Sequence, residues 1–133
     1  MGFFKTIFGK KEVDSSKEKN TSYVKWLPLT SIDQLEEIKA LSKTESICIF
    51  KHSTRCGISR IVIKKFEKLF SEEHQHLKVY YLDLLNYRSV SNEIANSFQV
   101  IHQSPQLLVI KNGVSCYHAS HNDVALVNLS RFI

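Results

Sequence analysis

The chain has 133 residues, of which 43% are hydrophobic and 23% charged, and this size and composition are typical of one globular domain. Its net charge of +5 is unevenly spread, because residues 1–26 hold six lysines and three acidic residues and leave only +2 for residues 27–133. So small an excess on the folded part excludes a nucleic-acid groove, which requires clustered basic and aromatic residues.

The chain contains three cysteines, Cys48, Cys56 and Cys116, and they form neither a Cys-x-x-Cys pair nor a metal-ligand spacing. A sparse, odd number of cysteines is typical of a reducing compartment. No apolar run approaches the roughly 20 residues of a transmembrane helix, and no signal peptide is recognisable. We therefore expect a cytoplasmic protein without a bound metal or cofactor.

Residues 1–25 are predicted to be a flexible basic segment and linker, followed by one domain over residues 26–133. Residues 1–11, MGFFKTIFGKK, interleave apolar side chains with lysines and match the short myristoylation pattern Met-Gly-x-x-x-Thr. This composition allows either weak contact with an anionic membrane surface or a loosely attached terminus. The polar residues 13–22 read as the linker.

The first half of the domain predicts a helix, a strand and a second helix. A capping-box pattern at residues 31–34 precedes apolar residues at helical spacing up to residue 41. Residues 47–50 are apolar at every position, as in a parallel strand covered on both faces. From Ile58 to about Phe70 the apolar residues recur every three or four positions, as on an amphipathic helix.

Residues 71–76 form a polar break, in which His74 and His76 are interpreted as part of a solvated turn rather than as a metal pair. Residues 77–85 then predict a second parallel strand. Asp83 lies inside that strand, and its carboxylate either relays protons for a thiol or, as we favour, accepts backbone donors at the strand's end.

The C-terminal part predicts a helix, a β-hairpin and a closing helix. Ser89 or Ser91 is expected to cap the helix that carries the apolar face up to residue 98. Pro105 precedes the strand 107–110, an Asn-Gly turn follows, and residues 114–121 return as the second strand. Residues 123–133 are expected to close the domain as a helix.

Cys56 lies where a buried strand passes into a helix, at the carboxyl edge of the predicted sheet. Unpaired N–H groups and the helix dipole favour an anion there, and Arg55, with Lys51 and Arg60 further away, adds positive charge. The position three residues on is Ser59, so the centre is a monothiol Cys-x-x-Ser. From spacing alone, Cys56 is either a reactive thiol or a buried structural cysteine.

The order of elements, with a cysteine opening a helix and a proline opening the hairpin, resembles the thioredoxin fold. That fold is α/β, here with a central mixed sheet of about four strands flanked by helices. The resemblance implies that Pro105 is cis and that Ser104 and Pro105 line the site beside Cys56.

Four ordered motifs are similar to those of the monothiol bacilliredoxin family, which serves bacillithiol-using bacteria. They are FKHSTRCGIS at 50–59, YRSVSN at 87–92, SPQ at 104–106, and KNG at 111–113 followed by HASH at 118–121. One departure is Gly57, where the family usually carries proline. A glycine there is expected to loosen the first turn of the helix.

The resemblance implies that Cys56 removes bacillithiol, its co-substrate, from bacillithiolated proteins and that a second thiol then frees Cys56. Ser59 is expected to hydrogen-bond the thiolate, and Thr54 and Arg55 to contact the sugar and malate of bacillithiol. The residues expected to contact substrate are Thr54, Arg55, Gly57, Ser59, Ser104 and Pro105. His52 is left outside the catalytic set.

Two other functions remain open from the sequence. The chain is alternatively a thioredoxin-like interaction module whose cysteine is unimportant, or a monothiol redox protein that uses another small thiol such as glutathione or coenzyme A. Cys48 is expected to be structural and inert within its apolar strand. Cys116 resolves Cys56 only if the two reach disulfide distance.

Overall fold

The computed structural model describes residues 22–133. The predicted basic segment and its membrane contact fall on residues 1–21 and lie outside the described residues. Ser22 to Lys25 form no regular structure, but the side chain of Val24 already packs against the core.

A five-stranded mixed sheet, in the order β1-β3-β2-β4-β5, forms the centre of the domain. Strands β1, β2 and β3 are parallel, whereas β4 is antiparallel to both β2 and β5. The strands are β1 (Trp26–Pro28), β2 (Ile47–His52), β3 (Lys78–Asp83), β4 (Gln106–Lys111) and β5 (Val114–Ser120). The fifth strand, beyond the four expected, is β1, whose three residues are too few to show a strand period. It ends in a proline, which an edge strand tolerates.

Within the part of the chain that the structure describes, three α-helices cover the two faces of the sheet: α1 (Asp33–Leu41), α2 (Gly57–Lys68) and α3 (Arg88–Phe98). One core lies beneath α1 and α3, and the other lies between the sheet, α2 and the C-terminal segment. Side chains of β2 alternate between these cores, with Ile47 and Ile49 in the first and Cys48 and Phe50 in the second. This alternation decides what lies beneath the candidate thiol.

The starts of α1 and α3 differ from the predicted capping. At α1, Gln34 Oε1 accepts hydrogen bonds from the N–H groups of Thr30 (2.7 Å) and Ser31 (3.1 Å), which is half of a capping box. The prediction that Ser89 or Ser91 caps α3 is wrong, because the helix begins after Tyr87 and Ser91 is buried inside it.

The hairpin prediction is confirmed, since β4 and β5 are joined through Asn112 and Gly113. Both residues have positive φ, 54° and 79°, as a two-residue hairpin turn requires. The bond between Ser104 and Pro105, just before β4, is cis as expected.

The predicted C-terminal helix is wrong. The segment forms two 3₁₀ helices, His121–Leu126 and Leu129–Phe132, separated by extended backbone at Val127 and Asn128. The Asn128 side chain accepts a hydrogen bond from the Ser130 N–H at 3.2 Å and so begins a new turn instead of continuing the first.

His74 anchors this C-terminal segment, so the prediction of a solvated turn is wrong for His74, whereas His76 is exposed as expected. His74 is buried at the end of a 3₁₀ helix, Glu72–His74, and its Nδ1 accepts the Ser71 N–H at 3.1 Å. Its Nε2 lies 3.1 Å from Ser130 Oγ. Within residues 22–133 no group of three or more potential ligands is placed to hold a metal ion, and no helix is long and apolar enough to cross a membrane.

Candidate active site

Cys56 forms the N-cap of α2, as the sequence predicts. The chain leaves β2 at His52 and makes one turn, closed by a 3.2 Å hydrogen bond from the Cys56 N–H to the Ser53 carbonyl. Cys56 is extended, with φ −97° and ψ 121°, and its half-buried side chain makes no capping hydrogen bond in the described structure. Since the first turn of α2 contains no acidic residue, nothing within that turn opposes the preference of the helix N-terminus for an anion.

The structure brings Ser104 and Pro105 to the same edge of the sheet as Cys56. Gln106, the first residue of β4, pairs with Lys51 near the end of β2, so the cis-proline lies just beyond this pair. Pro105 is buried and its carbonyl accepts the His121 N–H at 2.9 Å. The hydroxyl of Ser104 is buried without a hydrogen-bond partner among residues 22–133.

The turn before Cys56 presents polar groups to solvent. Thr54 and Arg55 are both exposed, and the Thr54 carbonyl accepts a hydrogen bond from Arg60 Nη1 at 3.2 Å. Gly57 is exposed as well, and a Cβ atom placed there would meet nothing within 4 Å. Neither space nor backbone conformation therefore requires glycine at position 57.

Ser59 is completely buried, unlike Thr54, Arg55 and Gly57 in the same region. Its Oγ accepts the Ser53 N–H at 3.1 Å and lies 2.8 Å from His52 Nδ1. The expected hydrogen bond between this hydroxyl and Cys56 is not formed, because the hydroxyl instead ties the turn to the end of β2.

His52 is the residue that sequence reasoning missed. It is only 5% exposed and lies beneath the N-terminus of α2, on the same face of β2 as Phe50. The signal was present in the strand period, since Cys48, Phe50 and His52 are two residues apart and must share a face. The predicted strand stopped at Phe50, and His52 was therefore assigned to a loop.

Asp83 lies beside His52 in the adjacent parallel strand. One carboxylate oxygen accepts Asn86 Nδ2 at 2.7 Å, and the other is buried without a hydrogen-bond partner in the described part of the chain. The expectation that the carboxylate accepts backbone donors is wrong, because the main-chain carbonyl of Asp83 takes the N–H groups of Asn86 and Tyr87. Burial lowers the pKa of His52 and Arg60 lowers it further, whereas Asp83 acts in the opposite direction.

Lys51 points to the opposite face of the sheet and adds no charge beside Cys56. Its side chain is fully buried, and Nζ lies 3.3 Å from the Ser91 carbonyl and 3.2 Å from His102 Nδ1. Burial lowers the pKa of this amine from 10.5 to about 8. The amine of Lys51, which was expected to add positive charge near Cys56, therefore lies beneath α3 instead.

The buried amine should make stability depend on pH. The folded state releases this proton near pH 8 and the unfolded state near 10.5, so Lys51 should add stability as the pH rises between these values. Cys48 acts in the opposite direction above pH 9, because burial raises its thiol pKa from 9.0 to about 12. We therefore predict that wild type gains stability relative to Lys51→Met, by at most about 1.4 kcal/mol per pH unit. Urea unfolding across this range measures the difference, and a difference independent of pH would contradict the prediction.

The other two cysteines lie far from Cys56. Cys48 is fully buried, and Cys116 is exposed on β5, beside a bulge opposite Val109 and Ile110. Those residues pair with Cys48 and Ile47, four or more residues before the end of β2, which places Cys116 roughly 13 Å back along the sheet. A disulfide requires Cα atoms within about 7 Å, so Cys116 cannot resolve Cys56 in one molecule.

A cavity of about 550 Å³ has Cys116, and not Cys56, in its wall. Its wall includes Lys111 and Arg131 together with Glu45 and Glu73, so charges of both signs face it. Cys56 instead lies at the exposed start of a helix, a position open to a thiol carried on another protein.

Solved structures similar to this chain confirm the thioredoxin fold. The structure of a proposed oxidoreductase with a thioredoxin fold is 30% identical, with a TM-score of 0.65, over 79% of this chain and 88% of that chain. Malassezia sympodialis thioredoxin is 17% identical, with a TM-score of 0.67, over 84% and 93% of the two chains. Schistosoma mansoni thioredoxin is 20% identical, with a TM-score of 0.64, over 84% and 99%. The two thioredoxins are similar in fold alone.

The family comparison agrees with the four motifs found in the sequence. A family model described as monothiol bacilliredoxin BrxC matches residues 27–129, which include all five strands but for the first residue of β1. The match also includes the Cys56 turn, the whole of α2 and the cis-proline. This chain therefore belongs to the monothiol bacilliredoxin family.

Proposed function

We propose that this protein is a cytoplasmic thiol-disulfide oxidoreductase that removes bacillithiol from mixed disulfides on protein cysteines. The family match and the oxidoreductase neighbour support a thiol redox function in general. The bacillithiol specificity, the bacillithiolated protein substrates and the cytoplasmic location are our proposal.

One observation carries the proposal: Cys56 is the single thiol at the edge of the sheet where α2 begins. The chain has three cysteines, of which Cys48 is sealed in the core and Cys116 lies at the other end of the sheet. Ser59 occupies the position of a second active-site cysteine and is itself buried. A chain arranged in this way supports monothiol exchange and cannot close an internal disulfide at the site.

The reaction consists of one exchange of disulfide partners. The Cys56 thiolate attacks the bacillithiol sulfur of the mixed disulfide, and the substrate cysteine leaves with the electron pair of the broken S–S bond. The repaired protein departs as a thiol after taking up a proton, and Cys56 is left joined to bacillithiol. A second thiol from outside the chain then attacks this disulfide and regenerates Cys56.

The exposed groups around Cys56 suit the proposed co-substrate. Arg55 places a guanidinium in the turn before the thiol, where it is able to pair with the carboxylates of bacillithiol's malate. Thr54 offers a hydroxyl to the sugar from the same turn. Ser104 and Pro105 border the site just before β4, where the proposal has them contact the substrate backbone.

Intact mass measurement with peptide mapping tests the proposal. The reduced protein is exposed briefly, near pH 7, to bacillithiol disulfide and in parallel to glutathione disulfide. We expect a single adduct, located on Cys56, that forms faster with bacillithiol.

Equal labelling of the exposed Cys116 would contradict the proposal, because it would mean that the helix N-terminus does not activate Cys56. Faster labelling of Cys56 by glutathione disulfide would instead retain a monothiol enzyme and assign it a different small thiol. In both arms the exposed Cys116 serves as an internal reference for an unassisted thiol.

A further inference from the structure

His52 and Ser59 form a hydrogen-bonded pair at the end of β2, beside the turn that carries Cys56, and the proposed chemistry has not yet used this pair. His52 and Ser59 are both buried, and their 2.8 Å contact is the shorter of the two hydrogen bonds at Ser59. Cys56 and Ser59 are the N-cap and third residues of α2, positions whose side chains lie side by side at a helix N-terminus.

The hydrogen-bond inventory of Ser59 allows only two arrangements. A hydroxyl has one proton and two lone pairs, and the Ser53 N–H already occupies one lone pair. If His52 Nδ1 is unprotonated, it accepts a hydrogen bond from the Ser59 hydroxyl. The second lone pair of Ser59 Oγ is then free to accept a hydrogen bond from a neighbouring thiol. If Nδ1 carries a proton, it donates a hydrogen bond to the second lone pair of Ser59 Oγ. The Ser59 hydroxyl then donates its own proton in a hydrogen bond to a thiolate.

We propose that Ser59 and His52 form a buried proton relay for Cys56, with His52 as a positioning residue that acts through Ser59. The Cys56 S–H bond breaks and its proton passes to Ser59 Oγ, while the original Ser59 proton passes to His52 Nδ1. The products are a Cys56 thiolate, a neutral Ser59 whose O–H faces the sulfur, and a protonated His52. When Cys56 is displaced as a thiolate by the second thiol, the reverse transfer returns the proton to its sulfur.

The surroundings of His52 fit a group that gains and loses a proton. Asp83 faces it from β3 with one buried, unpartnered carboxylate oxygen and favours the protonated ring. Arg60 of α2 acts against that charge, and the ring of Tyr81 lies 5.7 Å away. Burial lowers the pKa of His52 and so favours the neutral ring, and the relay uses the tautomer in which Nδ1 carries no proton. Cys56 makes no capping hydrogen bond in the described structure, so the relay closes only when its thiol turns toward the Ser59 hydroxyl.

The His52→Asn variant separates a relay from a purely structural role. An asparagine amide occupies the place of the histidine Nδ1 and keeps a hydrogen bond to Ser59, but it accepts no proton near neutral pH. We expect Cys56 in His52→Asn to be alkylated by iodoacetamide roughly tenfold more slowly at pH 7, because the amide keeps Ser59 in place but removes the base that takes up the thiol proton. The deficit should disappear at high pH, where the thiol ionises without assistance.

Ser59→Ala and the double variant complete the test. Ser59→Ala should slow alkylation to a similar degree, and the double variant should be no slower than either single variant, because both remove one relay. His74→Asn is the matched control, since His74 is also buried and bonded to a serine but lies away from Cys56. It should leave the alkylation rate unchanged.

The relay is overturned if His52→Asn reacts at the wild-type rate, or if the two single effects multiply in the double variant. Should His52→Asn fail to fold, Ser59→Ala still decides, because an unchanged rate there excludes the relay. The inference rests on the proposed function only in taking Cys56 as the reacting thiol. Alkylation needs no bacillithiol, so rapid alkylation without bacillithiol removal would refute the proposed function and leave the relay intact.

Discussion

Replacing Cys56 by serine is expected to slow the release of bacillithiol from a bacillithiolated protein to the rate without enzyme, a loss of roughly 10³-fold or more. The physical reason is that the hydroxyl of serine stays protonated at neutral pH and does not attack a disulfide, whereas a thiolate does. The N-cap position of residue 56 accepts serine readily, so the fold should be retained. Mass spectrometry of the substrate protein over time measures the effect as the loss of its bound bacillithiol.

Cys116→Ser is the matched control for this variant. Cys116 is more exposed than Cys56 but lies roughly 13 Å away along the sheet, so its removal should leave the release rate unchanged. A large loss in Cys116→Ser would mean that this thiol resolves Cys56 between molecules. Full activity in Cys56→Ser would refute the assignment of the nucleophile. Failure of the wild-type protein to release bacillithiol would favour an interaction module.

Replacing Phe66 by alanine is expected to lower the free energy of unfolding by about 3–5 kcal/mol. Phe66 lies on the inner face of α2 and is fully buried, with ring centroids of Phe50 and Phe70 at 5.1 Å and 5.2 Å and of Trp26 at 6.0 Å. Truncation leaves a cavity among three aromatic rings that the rigid sheet cannot close. Urea unfolding followed by tryptophan fluorescence reports the change, because Trp26 is part of the cluster.

Ile61→Ala provides the comparison on the same helix. Ile61 is 57% exposed, and its truncation should change the free energy of unfolding by no more than about 0.5 kcal/mol. If both variants lost similar stability, packing of the Phe66 cluster would not be the main attachment of α2, because alanine is the better helix former at both positions. Since α2 holds Cys56 at its first turn, the Phe66 cluster is what fixes the thiol against the sheet.

The elements that the sequence predicted well are those with strong local patterns. The apolar run of β2, the helical spacing of α2 and the Asn-Gly turn each depend on neighbouring residues, and all three are present. The C-terminal segment failed because apolar residues at helical spacing do not reveal that Asn128 begins a separate turn. Strand β1 was not predicted for a different reason, since its three residues form a strand only through pairing with β3.

The candidate site divides in the same way. The sequence alone determined that Cys56 begins a helix after a buried strand and that serine stands three residues later, because both facts are local. The structure supplied the partners. His52 lies beneath the N-terminus of α2, whereas Lys51 lies on the opposite face of the sheet, beneath α3, although the two residues are adjacent in sequence.

Only the tertiary structure decided that Ser59 is tied to His52 and that Cys116 is out of reach of Cys56. The physical reason is that strand register and burial, which choose partners across the sheet, arise from packing between residues far apart in the chain. Local spacing determines where a side chain leaves the backbone. The long-range pairing of β2 with β3 and β4 determines which groups that side chain meets.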